Sequence, residues 1–428
     1  MIRVGNASGF YGDRFDAFAE MLDGDPLDYL TGDYLAELTM GILGRDLAKD
    51  PSTGYARTFL RQMQGSLAKA LDRKTAIVVN AGGLNPHGLA RALSELSEKD
   101  LRVGVVSGDA LHRDGALAAN AYLGAFGIAA CLRGGANVVV TGRVTDASLV
   151  VGPAIAAHGW TPADLDRLAG ATIAGHVLEC GTQATGGNYA FFTEIADLTH
   201  PGFPIAEINA DGTATITKHP GTGGEVSVGT VTAQLLYEIG APAYLGPDVV
   251  AHFDSITLRP DGPDRVTISG AVGSPPPPTL KVGVTRLGGF RNTMTFVLAG
   301  LDIDAKAELV RRQLGPDLHY QLVRTDQPDA TTTETASALL HVHSYQPGRD
   351  FSKAVVELAL ASYPGATLTG APQDAKPYAV FTSETIGQDE VEHVATLPDG
   401  TVVKIEPPPA TVEPVEVPSD AAPAWTTT

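Results

Sequence analysis

Two cysteines in 428 residues, Cys131 and Cys180, cannot build a disulfide framework, and their scarcity points to a reducing compartment. No run of about 18 apolar residues occurs, so no membrane-spanning helix is expected. The opening MIRVGNASGF has no basic segment leading into a long apolar stretch, so no signal peptide is read there. Positive charge is also scarce. Lys and Arg number 30 against 49 Asp and Glu, and the net charge of −19 repels nucleic acid and anionic membranes. The expectation is a cytoplasmic protein with neither of those partners. An anionic substrate would need cations gathered locally.

Two nucleotide signatures are missing as well. The glycines at 5, 9 and 12 in GNASGFYG have the wrong spacing for a dinucleotide fingerprint, and no Gly-Lys-Ser/Thr loop is present. GNASG is not the elbow of a serine hydrolase. No redox or nucleotide cofactor is therefore expected, and coenzyme A would enter only as part of a substrate.

What the chain has is an ordinary globular composition, 43% hydrophobic and 18% charged, with length for two or three domains. Up to about residue 200, short apolar runs alternate with amphipathic ones. IRVG, LDYL, TAIVVN, RVGVVSGD and ANVVVTGR read as strands, each followed by a helical stretch such as RFDAFAEML or ALAANAYLGAFGIAACL. Strands buried on both faces and alternating with helices indicate an α/β parallel sheet. An open doubly wound sheet is favoured over a barrel. From about Pro201 the pattern becomes α+β, beginning with the hairpin IAEINADGTATITK around its Asp-Gly turn. The expected division is an α/β domain over 1–200, an α+β domain over 201–405 that closes a cleft, and a Pro-rich, poorly ordered tail or linker over 406–428.

Glycine is abundant, 48 residues against a usual share of about 7%. Much of the excess lies where the strands end, in GNASGFYGDR, NAGGLNPHG, SGD and TGRVTDAS. Ligands of open parallel sheets bind at the carboxyl ends of strands. Asn6, Ser8, Asp33, Asn80, Asn85, Arg143 and Asp146 are therefore candidate binding residues. As ordinary turn and cap residues, each alone has a structural explanation. Convergence of four loops on one edge favours a cleft.

Two dense stretches add chemistry. LDRLAGATIAGHVLE reads as a helix that brings His176, Glu179 and Cys180 onto one face, before a glycine-rich loop carrying Gln183, Asn188 and Tyr189. A His–Glu pair suits proton transfer, and Cys180 offers a thiol nucleophile, although a buried cysteine is most often a small hydrophobe. Lys218 and His219 precede PGTGG, which has the look of an anion-binding loop, with Arg286 and Arg291 adding charge. His341 and His343 alternate on a strand and are read as structural. Neither they nor His176 and Glu179 complete a metal site.

GNASGFYGDR, LTGDYLAELTM, NAGGLNP, VTGRVTDASL, GHVLECGTQATGGN, GFPIAEI, TKHPGTGG and TAQLLYEI together resemble the acyclic terpene utilisation, or AtuA-type, family, in order from residue 2 to past 300. The resemblance implies a bacterial cytoplasmic protein linked to catabolism of citronellol- and geraniol-type compounds through acyl-CoA thioesters. It delivers no reaction. Longer members carry a small α+β domain after a linker, so a separate companion chain is one expectation and a homo-oligomer the other. The expected activity is a lyase or hydratase acting by acid/base chemistry on a branched hydroxyacyl or enoyl thioester or a related carboxylate. The alternatives are a Cys180-dependent thioester hydrolase and a non-catalytic binding or scaffold subunit.

Overall fold

A computed structural model describes residues 1–96, 101–324 and 336–410. The chain divides into two compact units. The first comprises Met1–Thr285 and the segment from Phe381 onward, and the second is Arg286–Val380. The boundary expected at residue 200 falls inside the first unit, whose main sheet continues through the strands that follow it. Of the Pro-rich stretch 406–428, residues 411–428 lie outside the described residues.

The first unit is built on an open sheet that contains β1 (Ile2–Asn6), β2 (Tyr29–Gly32), β3 (Ala76–Val79), β4 (Val103–Ser107), β6 (Val138–Thr141), β7 (Pro204–Ile208) and β8 (Ala214–Lys218); β5 (Ala116–Ala121) pairs elsewhere. Strands β1, β2, β3, β6 and β4 lie in that order, all parallel. The hairpin β7–β8 adds antiparallel to the free side of β1. Beyond β4 the strands Val394–Thr396 and Val402–Lys404 extend the opposite edge. The sheet does not close into a barrel.

The central strands are parallel because their sequences suit burial on both faces. AIVV in β3 and VVVT in β6 are runs of β-branched residues almost wholly excluded from solvent. On one face lie α1 (Ala17–Asp23), α3 (Arg57–Arg73) and α4 (Pro86–Ser94), which contribute Phe18, Met21, Phe59, Met63 and Leu89 to a shared core. In α3 the buried Phe59, Met63, Leu67 and Ala70 recur every three or four residues, the stripe of a surface helix. The other face carries α6 (Ser148–His158), α7 (Leu165–Glu179) and α8 (Val228–Leu235). The remaining helices of this half are α2 (Glu37–Lys49) and α5 (Phe126–Arg133).

One stretch departs from the helical reading. ALAANA, at 116–121, is strand β5 and pairs with the long strand Thr279–Ala299. The helix propensity of alanine is weak enough for a tertiary partner to override it.

The second unit contains Thr367–Leu368, the later part of Thr279–Ala299, Ser337–Ser344, His319–Arg324 and the start of Lys376–Gly387, strands of a second sheet. Helices Ile303–Leu314 and Asp350–Glu357 supply Ile303, Val310 and Val355 to a core with Met294, Phe296, Leu298, Leu340 and Val342 from the strands. Among the described residues, no helix is long and apolar enough to cross a membrane.

Candidate functional site

The carboxyl ends of the parallel strands carry two hydrogen-bonded groups, coupled electrostatically through Asp33, Arg143 and Asp146. Past β1, Asn6 Oδ1 accepts from the Ser8 N–H at 3.0 Å, and Ser8 Oγ donates to the Asp33 carbonyl at 3.0 Å. Past β3, Asn80 Nδ2 donates to Asp33 Oδ1 at 2.6 Å, while Asn80 Oδ1 accepts from the Tyr34 N–H at 2.7 Å. Past β6, Arg143 Nη1 meets Asp146 Oδ1 at 2.5 Å, and its guanidinium lies 4.0 Å from the Tyr122 ring centre. Asp109, at the end of β4, accepts from the Arg143 N–H at 2.8 Å and from Asn120 Nδ2 at 2.7 Å. Asn6, Ser8, Asp33, Asn80, Asp109 and Arg143 are all buried.

Helix α7 adds His176 and Glu179. It is rich in Ala and Gly, and every residue from Leu168 to Glu179 is buried, so its last turn carries His176 and Glu179 into the core. His176 Nδ1 lies 3.0 Å from Glu179 Oε1, at ion-pair distance but out of line for a hydrogen bond. The imidazole packs against the rings of Tyr244 and Phe253, 5.6 and 5.3 Å away, which also touch each other. His176 Nε2 and Glu179 Oε2 are buried with no hydrogen-bond partner. Buried polar atoms in folded proteins are nearly always satisfied, so these two call for an explanation.

The loop after β1 comes close to the end of this helix. A Cβ on Gly9 would lie 2.7 Å from the Cys180 carbonyl carbon. Gly9→Ala should therefore displace that backbone and lower stability by about 1–3 kcal/mol, measured as the midpoint of denaturant unfolding. An unchanged midpoint would show that the two segments part without cost.

Burial sets the electrostatics. It raises the Asp33 pKa well above the carboxylate range, helped by repulsion from Asp146 and opposed by Arg143 and Asn80. Asp109 and Asp248 are each pushed up to about 6 by burial. Glu179 is pushed up to about 7, again by burial first, with His176 opposing. For His176 itself burial acts downward, but Glu179 and Asp146 outweigh it and its pKa rises. The His–Glu pair thus holds a proton through neutral pH.

Asp248 was not visible in the sequence. Its Oδ2 accepts from the Ala125 N–H at 2.7 Å, just before α5. It lines one shallow recess with Thr145, Ser148, Thr172 and Tyr244, and another with Gly124, Gln388 and His393. A carboxyl with a raised pKa keeps its proton in the folded state after the unfolded chain has lost it. Its contribution to stability therefore falls as pH rises from about 4 to about 6. Asp248→Asn keeps an acceptor for Ala125 and removes the titration. Its stability relative to the parent should rise by on the order of 1–3 kcal/mol between pH 4 and 7. Parallel stability–pH curves for the two proteins would refute this.

Other expected residues are placed elsewhere. Lys218 Nζ is used in donating to the Thr222 carbonyl at 2.7 Å and pairing with Asp264 Oδ2 at 3.1 Å. The His219 ring spans the Met21 carbonyl and the Asp25 N–H, at 3.1 and 3.2 Å, and burial lowers its pKa. These two are engaged within the fold and do not join the His176 cluster as an anion clamp. Ser227 caps α8, so the helix end that follows PGTGG is satisfied internally. Asn85 caps α4 by accepting from the Gly88 N–H, and its amide donates to the Thr53 carbonyl. Gln183, Gln234 and Asn188 form an amide chain beside the site, with Asn188 Nδ2 donating to Gln183 Oε1 and Gln183 Nε2 to Gln234 Oε1. The Tyr189 ring meets Phe191, 5.6 Å away. Arg291 belongs to the second unit. Cys180 follows α7, and burial raises its thiol pKa well above the usual range.

The sequence reading missed Asp109, Asp248, Tyr122 and Tyr244. SGD marked Asp109 as a strand-end residue. Nothing local distinguishes the other three; Tyr122 directly follows β5, and Tyr244 and Asp248 arrive from far along the chain.

A family model described as "Acyclic terpene utilisation family protein AtuA" matches residues 2–116 and 111–397. No match was found among curated proteins or solved structures.

Proposed function

Since the chain belongs to the acyclic terpene utilisation (AtuA) family, which places it in the use of acyclic terpenes, we propose that it is a lyase or hydratase acting on a branched acyl substrate by acid/base chemistry. The observation that carries this reading is the buried His176–Glu179 pair with Oε2 and Nε2 unsatisfied. A substrate group placed there would supply the missing partners.

In the proposed step, Glu179 Oε2 takes a proton from the carbon next to the acyl carbonyl. His176 keeps the carboxylate oriented and shares the proton. A pKa near 7 suits a group that must both accept and return a proton. Asp33, whose pKa is raised by burial, is the acid that would serve a departing hydroxyl. The surroundings are rich in carboxyls, and Arg143 is engaged with Asp146. Such a site favours a carbonyl or hydroxyl over a free anion. The substrate read here is therefore an ester-like acyl group, with coenzyme A as carrier, and not a bare carboxylate.

The thiol hydrolase is the weaker reading, because a thiol whose pKa is raised by burial is little ionised at neutral pH. Cys180→Ser should keep turnover of a branched hydroxyacyl- or enoyl-CoA within about tenfold of the parent, since loss of a nucleophile removes nearly all activity. A covalent acyl adduct on Cys180, found by mass spectrometry, would reverse the ranking. Tight binding of every thioester tested with turnover of none would favour a binding subunit.

A further inference from the structure

The face of the second unit's sheet that its helices do not cover carries three histidines in two cross-strand rows. In the first row Thr293, His343 and His319 lie side by side on three neighbouring strands. In the second, two residues along, stand Thr295, His341 and Gln321. Residues directly opposite one another in an antiparallel sheet share a face. The intervening Met294, Phe296, Leu340 and Val342 point the other way, into the helix-covered core.

We propose that this face binds a phosphate-bearing anion through His319, His341 and His343. Thr293 Oγ1 lies 2.9 Å from His343 Nδ1, and Thr295 Oγ1 lies 2.8 Å from His341 Nδ1. If each hydroxyl donates to its imidazole, both hydroxyl protons are satisfied and each Nε2 carries hydrogen. The rings then offer donors even when neutral, and charged donors when protonated. Such donors match phosphate oxygens.

The electrostatics agree. Burial lowers the His343 pKa first. The further causes are positive charges, His319 on one neighbouring strand, His341 on its own and Arg291 on the other. An anion bound against these side chains would offset that repulsion. A metal ion is the other ligand histidines attract. Here the His319–His343 and His341–His343 ring centres are 5.6 and 6.4 Å apart with planes inclined by only 31° and 28°. Rings lying nearly parallel do not aim their nitrogens at one point. Among the described residues, no group of three His, Cys, Asp or Glu is arranged to hold a metal.

The test is calorimetric titration of the full chain with inorganic pyrophosphate at pH 6 and pH 8, with coenzyme A as a second ligand. Pyrophosphate should bind at pH 6 and about tenfold more weakly at pH 8, as histidine charge is lost. The double variant His319→Gln/His341→Gln should lose binding by about tenfold or more with its melting temperature unchanged. Coenzyme A binding more tightly than pyrophosphate, through the same histidines, would identify a nucleotide as the source of the phosphate. No binding of either ligand at pH 6, or binding that the double variant leaves intact, overturns the proposal. So does tight zinc binding that His343→Gln abolishes. Glu179→Gln should leave pyrophosphate binding unchanged, so this site stands or falls apart from the acid/base reading.

Discussion

Glu179→Gln should lower turnover of a branched acyl-CoA substrate by about 10²–10⁴-fold, the usual cost of losing a general acid/base. The amide has the shape of the carboxyl and cannot accept the proton. The parent rate should rise with pH as Glu179 ionises, through about pH 7, and the variant should lose that rise. Stability should move the other way. A carboxyl with a raised pKa is costly to keep folded once the solvent pH exceeds its unfolded value, so the variant should be at least as stable as the parent at pH 8. Rate–pH profiles and melting curves of both proteins separate the outcomes. A variant with near-parent turnover, or one that melts much earlier, would assign Glu179 a structural role.

Arg143→Ala should be the most destabilising single change at the strand ends, by about 3–5 kcal/mol near pH 8. The guanidinium is almost fully buried, meets Asp146 at 2.5 Å and lowers the pKa of Asp33. Removing it leaves carboxyl groups in a low-dielectric region with no positive charge to offset them. It also empties the space against Tyr122. The loss should shrink toward pH 5.5, because Asp109, which burial pushes up to about 6 against the opposing pull of Arg143, is then largely neutral in the folded state. Arg143→Lys should lose less than Arg143→Ala, since it keeps the charge while giving up the planar stacking and forked donors. Denaturant unfolding at the two pH values checks both statements. A loss below about 1 kcal/mol at pH 8 would show that the guanidinium contributes no more than an exposed ion pair.

The parallel sheet was legible because its signal is local. AIVV and VVVT cannot be half-exposed strands, and the polar glycine-rich segments that follow them mark the strand ends. The open-sheet reading also identified Asn6, Asp33, Asn80 and Arg143 as residues of one edge. The helical spacing of His176 and Glu179 put them on one face of α7, and they are indeed at ion-pair distance. Lys218, His219 and Asn85 show where local reasoning stops. Adjacent cations beside PGTGG have the composition of an anion site, yet the fold turns His219 onto Met21 and Asp25 and holds Lys218 against Asp264 and Thr222. No rule of spacing forecasts such partners, because they lie up to 198 residues away in sequence.

By itself, then, the sequence determined the α/β class, the family and the edge at which polar side chains gather. Each follows from short-range pattern: β-branched runs, helical periodicity and strand-end composition. Tertiary structure alone decided which of those polar groups are left without a partner. It buried Glu179 and His176 with three atoms unsatisfied, set Tyr244 and Phe253 against the imidazole with Asp146 as a charged neighbour, and raised the Glu179 pKa to about 7. Desolvation and charge–charge coupling depend on distances between segments far apart in the chain, and only folding sets those distances.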